Sequence, residues 1–322
     1  MRRSDSAGRR RGRSVTHVRA LVTAGPDDIV RFADIPEPNA KPHEAVVAVS
    51  ALSLNRGEVN RARTARADKP TGWDVSGVVV AAAADGSGPA VGTRVVGLAD
   101  NVGWAERTPI ATHKLAPIPA GLSHEAASTL PIAALTALHC LRAHEASYQT
   151  ALITGAAGGV GRFAVQLAAM EGARVTAVVG AATRGAGLAQ LGAAEVLTEM
   201  PADGHFDVIL ESVGGESLAA SLRLVGAGGT VALFGNSSGE ATTFQAADFF
   251  FRHATKLYGY LIFPELEKTR RGADDLAYLA GLMADGKLDP SIDVTASWSE
   301  ATSLCRDLLD RRVAGKAVLT VD

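Results

Sequence analysis

The sequence predicts an α/β protein in two parts: a doubly wound parallel sheet, and a mostly β segment ahead of it that the C-terminal tail rejoins. Three observations carry that expectation. Residues 151–161, Ala-Leu-Ile-Thr-Gly-Ala-Ala-Gly-Gly-Val-Gly, form a short apolar run that ends in a glycine-rich turn. The turn opens into a segment with helical period (Phe163, Val165, Leu167, Ala168) and a second apolar strand follows. Further on, apolar strands and helical patterns alternate, and before residue 123 short apolar stretches are separated by Pro and Gly turns.

In chain order, the first 19 residues carry seven Arg against one Asp, with no apolar stretch to make a secretory signal. Residues 1–14 therefore read as a disordered basic arm. Stretches 45–49, 75–82 and 94–98 read as strands, punctuated by Pro36-Glu-Pro38, Gly72 and Asp85-Gly-Ser-Gly-Pro89. Ser123 reads as the N-cap of one helix, and Leu130-Pro131 precedes a second over 132–143. Strands are expected at 151–154, 175–179, 195–197, 208–212, 230–234 and 257–262, with helices near 162–171, 187–191 and 216–224. Six strands is the count for two mononucleotide-binding halves. The tail reads as a helix over 273–284, a stop at Gly286, and a last helix and strand over 299–321.

Composition narrows the function classes. A chain of 322 residues has room for two cores, and its 47% hydrophobic share and 34 Gly fit tight strand–helix connections. Once the first 19 residues are set aside, 25 basic residues face 33 acidic ones, so the body lacks the basic face that nucleic acid or an anionic membrane would need. Two Cys, Cys140 and Cys305, build no disulfide framework. A cytoplasmic protein acting on a small molecule is the default reading.

The glycine turn has the strand–turn–helix context of a dinucleotide site. Gly158 would let backbone N–H groups approach a pyrophosphate, and Gly161 would let the helix pack closely on the strand. Ala156 departs from the usual fingerprint, standing where its first glycine is expected. An NAD site commonly places an acid about 20 residues on, on the ribose hydroxyls. No acidic residue occurs between Gly172 and Ala194, and Arg184 follows the second strand. A guanidinium there would grip a 2′-phosphate, which favours NADPH; the alternative is that Arg184 only decorates the surface. Glu199, after the third strand, works against a nearby phosphate.

Several stretches taken together resemble the zinc-free medium-chain dehydrogenase/reductases of the quinone oxidoreductase type. They are Ser53-Leu-Asn-Arg-Gly-Glu58, Gly72-Trp-Asp-Val-Ser-Gly77, Leu130-Pro-Ile-Ala-Ala-Leu-Thr-Ala-Leu138, Gly155–Gly161, 206–215, Phe234-Gly-Asn-Ser-Ser-Gly239 and Gly315-Lys-Ala-Val-Leu319. The resemblance implies a Rossmann domain (125–263) inside a mostly β, GroES-like catalytic domain split in sequence (15–124 and 264–322). It implies that Thr136, Val213, Phe234, Gly235 and Asn236 surround a nicotinamide, and that Gly158, Gly159, Val160 and Gly161 hold the pyrophosphate. Gly180 and Arg184 would take the adenosine ribose and its phosphate, and Asn55 would face the substrate. Family members often dimerise by joining their sixth strands, and Tyr258-Gly-Tyr-Leu-Ile262 suits such a homodimer edge.

A metal is not expected. The first 139 residues hold no Cys, Asn55 stands where a ligand Cys would be expected, and the eight His are scattered. Without a metal, the acceptor must take hydride readily by itself, as quinones and α,β-unsaturated carbonyls do. Asn55 would donate an amide N–H to the developing oxyanion, with a structural Asx turn as the alternative. Glu58 and Asp74 read as partners in structural salt bridges. No Tyr precedes Tyr148 and Asn60 replaces an aromatic, which argues against enoyl-thioester reduction and leaves solvent as proton source. The substrate loops are expected at 61–70 and 249–264, with Phe249–Phe251 and Phe263 as aromatic lining, core or dimer interface. A non-redox cyclase or isomerase on the same fold, and a nucleotide-bound sensor, are the competing classes.

Overall fold

The glycine turn lies at the centre of a parallel sheet in the computed structural model, which describes residues 17–322. The basic arm expected over 1–14 falls outside them. The chain opens with an antiparallel hairpin, β1 (His17–Gly25) and β2 (Ile29–Pro36), followed by the long β3 (Glu44–Leu54) and α1 (Arg56–Thr64). Next come β4 (Asp74–Ala81), β5 (Arg94–Leu98), β6 (Arg107–Ala111), β7 (Leu115–Pro117), α2 (His124–Ser128) and α3 (Leu135–Arg142).

The parallel sheet is built from β8 (Thr150–Ile153), α4 (Gly159–Met170), β9 (Arg174–Val178), β10 (Ala193–Leu197), β11 (Phe206–Glu211), α5 (Gly215–Leu224), β12 (Val225–Leu233), α6 (Ala246–Phe250) and β13 (Lys256–Gly259). Its strand order is β10-β9-β8-β11-β12-β13. That order reverses direction between β8 and β11, and ligands of open parallel sheets bind at the strand ends beside such a reversal.

After β13 the chain makes α7 (Ile262–Thr269), α8 (Gly272–Ala284), β14 (Ile292–Ser297), α9 (Ala301–Leu309) and β15 (Lys316–Thr320). The second sheet runs β14-β15-β3-β4-β5-β7, with β6 also on β3, so its two halves come from opposite ends of the sequence. This architecture is the expected doubly wound sheet joined to a second, antiparallel-rich sheet. Among the described residues no helix is long and apolar enough to cross a membrane.

Local chemistry explains the elements. Ser123 caps α2, accepting from the Ala126 N–H. The expected helix over 132–143 is two pieces, a π-helical turn over Leu130–Ala134 and then α3. The Asp74 carboxylate accepts the Ile132 N–H (2.9 Å) inside that turn, an outside partner that displaces regular helix pairing. The helix expected at 187–191 is absent: a 3₁₀ turn covers Ala182–Gly185, and Gly187 takes φ +81°, which breaks so short a segment. Residues 61–64, expected in a loop, finish α1. The sixth strand ends at Gly259, short of the expected 262, because α7 begins there.

Candidate active site

At the reversal point, β8 ends in the glycine turn and α4 begins at Gly159 with Gly158 as N-cap. Gly158 offers no side-chain cap, so the first N–H groups of α4 face outward with the positive end of the helix dipole. A Cβ built on Gly158 would meet nothing nearer than Gly155 O at 3.4 Å. One on Gly161 would lie 2.5 Å from Ala156 Cα and 2.7 Å from Gly155 O. Gly161 thus serves helix–strand contact, whereas the space over Gly158 is open and of the kind a phosphate group would fill.

The neighbouring turn is held by one buried carboxylate. Glu211, at the end of β11, accepts from the Thr154 and Ser217 hydroxyls (3.2 and 2.7 Å) and from the Val213 and Gly214 N–H groups (3.1 and 3.0 Å). The turn after β12 docks on it: Ser237 N–H donates to Ser212 O and Ser238 N–H to Val213 O. A Cβ on Gly235 would lie 2.9 Å from Ser212 O, so glycine permits that approach. Val213, Phe234, Gly235 and Asn236 therefore share one edge, and Thr136 lies on α3, which packs against α4 and β11. The sequence reading did not single out Glu211, although an acid inside an apolar strand run was the available signal.

A polar knot on the second sheet reaches the start of α4 through the Lys316 stem. Lys316 Nζ donates to Asn55 Oδ1 (2.7 Å), Leu54 O (3.2 Å) and Asp74 Oδ2 (3.2 Å). Asn55 Nδ2 donates to Asp74 Oδ2 (2.8 Å) and Glu58 Oε1 (3.1 Å), and the Ser53 hydroxyl donates to Asp74 Oδ2 (2.8 Å). The Lys316 stem crosses Gly159, where a Cβ would come within 2.7 Å of Lys316 Cδ. Burial, with the Asp74 charge second, pushes the Glu58 carboxyl well above its ordinary value, against the pull of Lys316 and Asn55. Glu58 Oε2 has no hydrogen-bond partner.

This geometry bears on two expectations. Both N–H bonds of Asn55 are committed inside the knot, so in this arrangement it has none to offer a substrate oxyanion. Asn55 caps α1 and orients its neighbours. Asp74 forms the expected ion pair, with Lys316, but Glu58 bonds the Asn55 amide and its backbone N–H (2.8 Å). Lys316 escaped notice as a site residue even though its motif was recognised; a lone cation opening an apolar strand was the signal.

Arg184 lies in the turn after β9, as its position in the sequence implies. Its guanidinium donates to the carbonyls of Arg311 and Val313 (3.0 Å for the second), just ahead of β15. A Cβ on Gly180 would have nothing within 4 Å, so the space beside it is open. Phe249–Phe251 are apart from Phe263: Phe249 packs in the core under β11 and β12, and Phe250 and Phe251 are exposed.

Comparison with known proteins agrees with this layout. The model of a family described as "Zinc-binding dehydrogenase" matches residues 159–277, a segment that contains neither of the two Cys. A quinone oxidoreductase of Pongo abelii is 29% identical over 238 residues, covering 68% of this chain and 72% of its own length. Over two thirds of its length the chain is thus similar to quinone oxidoreductases of the medium-chain dehydrogenase/reductase type. The spectinabilin polyketide synthase system protein NorB of Streptomyces orinoci is 34% identical over 317 residues, 92% of this chain, and the chain spans only 14% of that protein's length. A mycobacterial protein solved in complex with NADPH shares the fold, with a TM-score of 0.83 and 23% identity over 94% of this chain and 99% of that one. Among the described residues no group of three His, Cys, Asp or Glu side chains is placed to hold a metal ion.

Proposed function

We propose that the protein catalyses NADPH-dependent reduction of a conjugated carbonyl compound, a quinone or an α,β-unsaturated carbonyl, without a metal. The observation that carries this reading is the open space over Gly158 at the start of α4, beside the sheet's reversal point. The bound nicotinamide would supply the hydride. Gly158, Gly159, Val160 and Gly161 present N–H groups to the pyrophosphate. Thr136, Val213, Phe234, Gly235 and Asn236 shape the nicotinamide pocket, and Gly180 leaves room for the adenosine ribose. Arg184 takes the 2′-phosphate by exchanging its carbonyl contacts for a charge-assisted pair.

Lys316 and Asn55 have no donor to spare, since each points every polar side-chain hydrogen at a neighbour. A substrate that delocalises the incoming charge needs no such donor, and solvent supplies the proton. The same observation gives some support to a non-redox cyclase or isomerase. The exposed edge at β13, with Leu257 and Leu261 outward, is where a second copy would pair.

The test is oxidation of NADPH and NADH against quinones, enones and an enoyl thioester, together with equilibrium binding. Gly158→Ala is expected to keep the wild-type melting temperature and lose NADPH binding by at least tenfold. Arg184→Ala is expected to raise the Kd for NADPH about tenfold and leave that for NADH unchanged. Wild-type NADPH affinity in Gly158→Ala would overturn the reading. Tight binding with no oxidation of any acceptor would favour the non-redox alternative.

A further inference from the structure

Two aromatic rings from opposite ends of the recognised motifs meet where the two sheets adjoin. Trp73 directly precedes Asp74 of the polar knot, and Phe263 lies in the first turn of α7, just past the carboxyl end of β13. Their ring centroids are 5.2 Å apart with planes at 67°, an edge-to-face pair. Both are partly buried and pack against the same core cluster as Phe234.

The Trp73 ring is fixed from three sides. Its Nε1–H donates to Asn101 Oδ1 (2.8 Å), and Asn101 adopts the left-handed region, with φ +66°, as it does so. Asn is among the few side chains that tolerate that conformation, and such outliers persist where the surroundings demand them. The benzo edge of the indole lies over Gly57 in the first turn of α1, where a Cβ would be 3.5 Å from the ring. Phe263 closes the third side. A partly exposed, flat aromatic surface is thereby held next to Asp74, one hydrogen bond from Asn55.

We infer that Trp73 and Phe263 form the aromatic wall of the acceptor site and restrict the substrate to flat conjugated acceptors narrow enough to lie against the indole. The inference rests on the reductase reading for the identity of the acceptor, but contact with Trp73 is measurable without turnover. The chain has three Trp, and Trp104 and Trp298 are only 0% and 1% exposed, so Trp73 is the one a bound quinone can touch. A quinone stacked on an indole quenches its fluorescence at contact distance.

The experiment titrates cofactor-free protein with benzoquinone, naphthoquinone and phenanthrenequinone while following tryptophan emission, then measures NADPH oxidation with the same series. Wild type, Trp73→Phe, Phe263→Leu and Phe263→Ala are compared, each first checked for an unchanged far-ultraviolet dichroism spectrum and melting temperature. Saturable quenching in the wild type that disappears in Trp73→Phe is expected. Phe263→Ala is expected to weaken naphthoquinone about tenfold in KM with a smaller change in kcat, and to improve relative turnover of the widest quinone; Phe263→Leu should fall between. Absence of saturable quenching in the wild type overturns the wall even if NADPH is oxidised. So does an acceptor profile that the Phe263 variants leave unchanged. Quenching on Trp73 without any oxidation would keep the wall and sink the reductase reading instead.

Discussion

Two buried glutamates, one on each side of the cleft, are treated in opposite ways. Glu211 at the end of β11 receives four donors from Thr154, Val213, Gly214 and Ser217, and it holds a turn in place with them. Glu58 in α1 receives only the backbone and side-chain N–H of Asn55, keeps one oxygen without a partner, and faces the charge of Asp74. A buried carboxylate supplied with enough donors becomes a rigid organiser, whereas one short of donors is pushed toward its neutral form. The turn beside the start of α4 is built on the first arrangement and the polar knot around Asn55 on the second. The single cation in the knot, Lys316, pairs with Asp74.

The largest effect that would break this contrast comes from removing that pair. Asp74 accepts from Ser53, Asn55, Lys316 and the Ile132 N–H, all in a fully buried setting. Asp74→Asn leaves the Lys316 ammonium buried without its counter-charge, and a stability loss of about 3–5 kcal/mol is expected by chemical denaturation. The double variant Asp74→Asn/Lys316→Met should recover part of that loss, because no charge is then stranded. Equal stability of Asp74→Asn and wild type would show that Lys316 finds other partners and that the knot is not held by this pair.

Glu211→Gln comes next. The amide keeps one accepting oxygen and turns its nitrogen toward N–H groups that need an acceptor, so about 1–3 kcal/mol is expected to be lost. Because Ser212, Val213 and the turn after β12 hang on Glu211, NADPH affinity should weaken with it. Isothermal titration against NADPH checks this: unaltered affinity in the destabilised variant would mean that the turn keeps its shape without the carboxylate.

How much of this contrast could be read in the sequence follows from contact range. The β8–turn–α4 unit is local, so the glycine pattern, the strand and the helix were visible together, and the remaining strands of the parallel sheet each announced themselves as apolar runs. The knot is not local: Lys316 and Asp74 lie 242 residues apart and meet only when β15 pairs with β3. α1 was hidden because Arg-Gly-Glu-Val-Asn-Arg-Ala-Arg-Thr buries only Glu58, Val59 and Ala62 and carries no apolar stripe. α7 was masked in another way. Its apolar start continues the β13 run, and Pro264 reads as a break although proline is tolerated in a first helical turn.

At pH 5 the smallest expected effect belongs to Glu58→Gln, and its sign separates the two glutamates best. Burial holds the Glu58 carboxyl above its ordinary value of 4.5, so the native protein keeps a proton that the unfolded chain has released. The stabilisation from that proton is fully present below about 4.5 and is lost as the pH rises toward the native value. Each pH unit in that window removes up to about 1.4 kcal/mol. Gln imitates the neutral carboxyl and does not titrate, so Glu58→Gln should match the wild type near pH 4.5 and become the more stable of the two as the pH is raised. Melting temperatures of both proteins between pH 4.5 and 8 test this. A variant less stable than wild type at every pH would mean that Glu58 works as an ion held by Lys316 and Asn55, and the two sides of the cleft would then be alike.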